Sequence, residues 1–187
     1  MKTFRPLPII LAALLLLAAC EEESGASSAI APQEPGPEDV GHYCGMIVEN
    51  HSGPKGHVFL TDQAEPFWFS SVRDTLAFTM LPEEPDNIAV IFVNDMGRAK
   101  NWDNPEPGTW IRANDAHYVI GSDARGGMGA PAIVPFGDLA EAKRFVEERG
   151  GSILAFGEIP QEMVLGPAGE AGGENSVKGG DNRETTQ

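Results

Sequence analysis

Basic residues are scarce. The 187-residue chain carries 13 Lys and Arg against 28 Asp and Glu, a formal net charge of −15. A surface of that sign repels the phosphate backbone, which excludes a nucleic-acid binder. It also argues against adhesion to anionic lipid through a basic patch. Cysteine is scarcer still: Cys20 and Cys44 are the only two, too few for a disulfide framework. The one long apolar run, residues 7–19, falls short of the roughly 20 residues that a permanent membrane-spanning helix needs. No phosphate-binding glycine loop, no Ser-His-Asp order and no histidine-rich zinc motif is present. The remaining composition, 41% hydrophobic and 22% charged, is that of one soluble globular domain.

The apolar run begins after Lys2 and Arg5 and ends in Leu17-Ala18-Ala19-Cys20. A basic start, a short apolar stretch and small residues before the cut describe a secretory signal over residues 1–19. Small residues directly before a cysteine are more specific and have the form of a bacterial lipobox, in which Cys20 is acylated and becomes the new N-terminus. Acyl chains would then tie the chain to a membrane in the cell envelope, facing the periplasm. Residues 20–42 are rich in Pro, Gly, Ser and acid and read as a flexible tether. Some 20 extended residues at about 3.3 Å each reach at most ~70 Å. If lipidation consumes Cys20, Cys44 is left as a lone thiol in an exported chain: a reactive group, an intermolecular pairing site or a metal ligand. If Cys20 is not lipidated, a Cys20–Cys44 disulfide is the plain alternative.

The body reads as two passes through one order. Residues 57–62 and 66–69 are strands, Ser70 or Ser71 caps a helix over 72–80, and the β-branched run 88–93 is a buried strand. A polar, Pro-rich connection covers 94–108. Residues 116–121 and 132–136 are again strands, Asp138 caps a helix over 139–149 with an apolar face of Leu139, Ala142, Phe145 and Val146, Gly150-Gly151 stops it, and 152–157 is the closing strand. The fold class is α+β: two ββαβ units, 43–108 and 109–160, each too small to bury a core alone and packed into one body. Residues 161–187, poor in apolar residues, read as a disordered tail.

Between residues 43 and 56 the chain concentrates soft donors. Cys44, Met46 and His51 fall within eight residues, among turn-forming Gly41, Gly45, Gly53 and Pro54. Thiolate and thioether select Cu(I), with imidazole as an acceptable third donor. The remaining ligand has to come from elsewhere, and Met128 is the candidate. It sits in Arg125-Gly126-Gly127-Met128-Gly129, a turn with little to pack against, whereas Met80, next to Leu76 and Leu81, is core filling. Met96 is a lesser candidate, and Met163 only packs. Whether Met46 or His51 completes the site stays open. His42, His57 and His117 read as structural or surface groups, and Lys55 either favours the Cys44 thiolate or is a solvated lysine.

These residues carry a resemblance. Cys44-Gly45-Met46, His51 followed by Gly53-Pro54-Lys55-Gly56, Phe67 and Phe69, and Gly127-Met128-Gly129 with Pro135-Phe136 resemble the NosL family, the copper-binding accessory lipoproteins of nitrous-oxide reductase, over the lipobox and residues 43–159. The resemblance implies a chaperone that is not an enzyme. It would hold one Cu(I) on Cys44 and Met128, with Met46 or His51, and pass it to the copper–sulfide centre of apo-nitrous-oxide reductase. It also implies work beside an ABC-transporter maturation complex. Two other readings stand beside it. A general envelope copper scavenger shares every ligand. A thiol enzyme related to the organomercurial lyases needs paired thiols, and lipidation leaves one.

Overall fold

The computed structural model describes residues 30–166. The chain divides into Met1–Ala31, of which only residues 30 and 31 are described, and Pro32–Gln187. All that follows concerns the second part. The lipobox at Cys20 and residues 167–187 lie outside the described residues. Within that range no helix is long and apolar enough to cross a membrane.

Two small antiparallel sheets form around the predicted apolar runs. The first contains β1 (Gly56–Leu60), β2 (Phe67–Phe69), β3 (Ile88–Asn94) and β4 (Trp110–Arg112) in the order β2-β1-β3-β4. The second contains β5 (His117–Ile120), β6 (Val134–Phe136) and β7 (Ser152–Ala155) in the order β6-β5-β7. In each the opening strand is central, its hairpin partner lies on one side, and the strand after the helix lies on the other. That shared order is the ββαβ unit read from the sequence. Ser71 caps α1 (Val72–Phe78), its hydroxyl accepting from the Asp74 amide, and Asp138 caps α2 (Leu139–Arg149), accepting from the Ala140 amide. These side chains satisfy amide donors that a helix start otherwise leaves open.

Neither half is closed by itself. Val72 and Leu76 of α1 and Val93 of β3 share one core cluster with Tyr118 of β5, Ile133 and Ile159. Burying a side chain of this size contributes about 1.5–3 kcal/mol, so the halves stabilise each other through that shared layer.

Three expected boundaries move. Trp110–Arg112 pairs with β3 of the first sheet, so it does not open the second unit as the 109–160 boundary implied. The chain beyond residue 160 does not leave the body at once. Gln161–Leu165 forms α3, with Val164 buried against α1 and Ile159, and Arg73 donates to the carbonyls of Val164 and Gly166. Residues 33–40, read as part of the tether, are fastened instead. Gln33 donates its amide to His57 Nε2 at 3.3 Å. Glu34 accepts from the Trp110 indole at 2.8 Å and from the Gly108 amide at 2.7 Å.

Candidate metal centre

Cys44 sits on a closed loop laid across the end of β2. Val40 and Ile47 form an isolated bridge, the Gly41 amide reaches the Met46 carbonyl at 2.9 Å, and the Gly45 amide returns to the Gly41 carbonyl at 2.8 Å. The His42 amide then ties the loop to the Trp68 carbonyl at 2.7 Å. Gly41 packs tightly under the thiol: a Cβ there would stand 2.7 Å from Cys44 Sγ, so the sulfur would have to shift.

The thiol of Cys44 is half-buried and pairs with no other cysteine among the described residues. Its sulfur lies 3.3 Å from Ser70 Oγ and 3.9 Å from His51 Nε2. When the cysteine is a thiolate, the Ser70 hydroxyl is the donor. His51 is buried, so its ring is placed by packing rather than by solvent. Metal–thiolate and metal–imidazole bonds of about 2.3 and about 2.0 Å, the lengths found at zinc, sum to about 4.3 Å. One ion can therefore bridge the 3.9 Å between sulfur and nitrogen in a bent arrangement, with neither side chain moving and one side left open.

The turn that carries Met128 comes to the same place. Gly127–Gly129 is a single 3-10 turn in the connection between β5 and β6. A Cβ on Gly127 would lie 3.0 Å from both Cβ and Nδ1 of His51, so the backbone next to Met128 rests directly on the imidazole. Trp102, from the long connection between β3 and β4, secures this approach. Its indole donates to the Arg125 carbonyl at 3.1 Å, and its own carbonyl accepts from the Gly53 amide at 3.0 Å. The loop after His51 and the loop before Met128 are thus held to one residue, by its backbone carbonyl and its indole.

A cavity of about 420 Å³ opens beside His51, lined by Ser70, Arg73, Asp74, Gly127 and Ile133 among others. Burial pushes the Asp74 carboxyl up from its ordinary range, against the opposing hydrogen bond from Ser71. Among the described residues no three Cys, His, Asp or Glu side chains gather to hold an ion. The donor set is sparse and soft, which suits a monovalent copper and not a hard cation that needs many oxygens.

The remaining sequence candidates sort by position. Met46 turns its carbonyl toward Cys44 Sγ at 3.9 Å, and the residue is 44% exposed. Met80 packs against the shared core and Met96 against the second half's cluster, where its amide meets the Pro135 carbonyl. His42 stands 3.6 Å from Glu84 amid Phe67, Phe69 and Phe78. Lys55 is neither solvated nor at the thiol: it is buried, its amine donates to the Gly53 carbonyl at 3.2 Å, and burial lowers its pKa to about 8. Two residues take roles that their sequence context does not announce. Ser70, a helix-cap candidate by sequence, is the nearest polar neighbour of the thiol, and Gly127, marked by sequence only as a flank of Met128, brings its backbone against His51.

The NosL family model matches residues 32–164. The copper-binding lipoprotein NosL of Achromobacter cycloclastes is 47% identical over 169 residues, covering 90% of this chain and 87% of that protein. Its namesake from Stutzerimonas stutzeri is 35% identical, covering 67% of this chain and 64% of that protein. The crystal structure of the copper chaperone NosL from Shewanella denitrificans superposes with a TM-score of 0.66 at 31% identity, covering 70% of this chain and 96% of that one.

Proposed function

Because the chain belongs to the NosL family, we propose that it binds one Cu(I) between Cys44 and His51, with Met128 as the thioether ligand from the second half. It delivers that ion for maturation of the copper–sulfide centre of nitrous-oxide reductase. The observation that carries the reading is the 3.9 Å approach of thiol and imidazole where the Gly127 backbone rests on the same ring. Met46, more exposed than His51, stands at the mouth of the site. Low coordination by soft donors holds Cu(I) while leaving a side open for ligand exchange, which is what a carrier needs and what an enzyme's reaction does not require. Acylation of Cys20 would anchor the protein in the envelope, facing the periplasm, where the reductase apoenzyme and its ABC-transporter complex take the ion.

The test is a Cu(I) titration of the chain carrying Cys20→Ser against a competing chelator. The expected result is one ion per chain, with affinity lowered at least 100-fold by Cys44→Ser and by His51→Ala and roughly tenfold by Met128→Ala. Met46→Ala is expected to change it less than His51→Ala. Undiminished binding by Cys44→Ser refutes the site. Tight binding without transfer to the maturation complex supports a scavenger instead.

A further inference from the structure

Six large apolar side chains are exposed among the described residues, and four of them belong to the eight-residue loop around the thiol: Val40 at 48%, Tyr43 at 41%, Met46 at 44% and Ile47 at 37%. A monomeric protein rarely concentrates its exposed apolar groups in this way, and patches with a polar rim mark interaction sites. The loop does not owe its exposure to looseness. Its internal hydrogen bonds, the Val40–Ile47 bridge and the His42 tie to Trp68 fix its shape. The Tyr43 hydroxyl further fastens it to Glu84 at 2.9 Å.

Charge identifies what covers it. From residue 34 to residue 86 the sequence has ten acidic residues and two basic ones, Lys55 and Arg73. Both basic groups are spent on backbone carbonyls. The thiol loop is flanked by Glu38 and Asp39 before it, Glu49 after it and Glu83 and Glu84 beside it. A second copy of the chain would bring the same negative sign to this face, as would anionic lipid. A basic face is complementary. Eight residues are also well below the roughly 20–30 per side of a standard stable interface, so the contact is small and transient.

We infer that residues 40–47 form the docking face for the protein that receives the copper, an acceptor with an apolar contact surface rimmed by Lys or Arg. This rests on the delivery reading above and adds its partner surface. Once docked, the apolar rim excludes water from the open side of the ion while the acceptor's ligand replaces one of the donors. The exposed thioether of Met46 lies within the covered area.

The experiment measures Cu(I) transfer from the full chain to the detergent-solubilised maturation complex, for wild type, Val40→Glu/Ile47→Glu and Ile47→Leu. The expected result is a transfer rate at least tenfold lower in the double Glu variant and near wild type in Ile47→Leu, with Cu(I) affinity within twofold in all three. The wild-type rate is expected to fall as NaCl rises from roughly 50 to 500 mM, since screening weakens attraction between opposite charges. Equal transfer by the double Glu variant overturns the docking face. A rate indifferent to salt overturns the basic rim, and this arm stands even if the double variant fails to hold copper. Sedimentation showing a dimer that Ile47→Glu dissolves would make the loop a self-interface and overturn the inference. If wild type binds copper but transfers none, the delivery reading itself falls, an outcome distinct from failure of the variants alone.

Discussion

Alanine at position 127 would set a methyl carbon 3.0 Å from Cβ and Nδ1 of His51, tighter than side chains normally approach one another. The ring would have to withdraw from Cys44 or the Met128 turn would have to lift. Gly127→Ala is therefore expected to lower Cu(I) affinity by about tenfold, with the thermal midpoint of the copper-free protein within about 2 °C of wild type. Chelator competition and a melting curve check both halves of that statement. A second residue-scale prediction concerns His57, fully buried among Phe59, Trp68, Phe92 and Trp110. Burial lowers its pKa from 6.5 to about 3, and its Nδ1 has no partner among the described residues. Between those two values the unfolded chain binds a proton that the folded one refuses. Stability on this account rises with pH across that window and is lost as pH falls below about 6.5, by about 1.4 kcal/mol per pH unit. In urea unfolding at pH 6.5 and 5.0, wild type should lose more stability than His57→Phe, by about 2 kcal/mol; parallel losses would contradict the buried neutral ring. At this scale the candidate donors stand out in the sequence, because thiol, thioether and imidazole announce their chemistry by type. Ser70 and Gly127 do not, because what they do depends on who stands opposite, and no local pattern encodes that.

The helices were legible as elements. Asp138 and Gly150 bracket α2 at the ends read from the sequence, and Ser71 opens α1 as a cap should. Elements whose identity depends on distant partners were not. Trp110–Arg112 is three residues with no periodicity to read, and its sheet is decided by β3, well separated from it in sequence. The stretch before residue 40 has a tether's composition, yet one carboxylate, Glu34, finds an indole and an amide across the fold. Glu34→Ala should lower unfolding free energy by about 1–3 kcal/mol, the penalty for leaving a largely buried donor unmet. An unchanged urea midpoint would mean that the segment is not fastened in solution. The short α3 follows Pro160 and spans only five residues, too few for a helical period to be read. The carbonyls of Val164 and of Gly166, just past its end, accept from Arg73, and Arg73→Ala should cost about 1.5–2 kcal/mol in the same assay, with under about 0.5 kcal/mol contradicting the latch.

For the molecule as a whole, the duplicated ββαβ order places the candidate ligands in different halves while a shared core makes the halves one body. Copper binding should therefore stabilise the entire fold, since an ion held only by the native state adds to unfolding free energy by mass action. On the docking proposal, the acidic surface selects a basic partner and the loop around Cys44 is where it lands. The most direct measurement is X-ray absorption at the copper edge of the Cu(I)-loaded chain carrying Cys20→Ser. The account predicts two or three donors, sulfur together with one imidazole nitrogen. The nitrogen signature should vanish in His51→Ala, and one sulfur should vanish in Met128→Ala. A copper site without imidazole, or one that His51→Ala leaves unchanged, would contradict it.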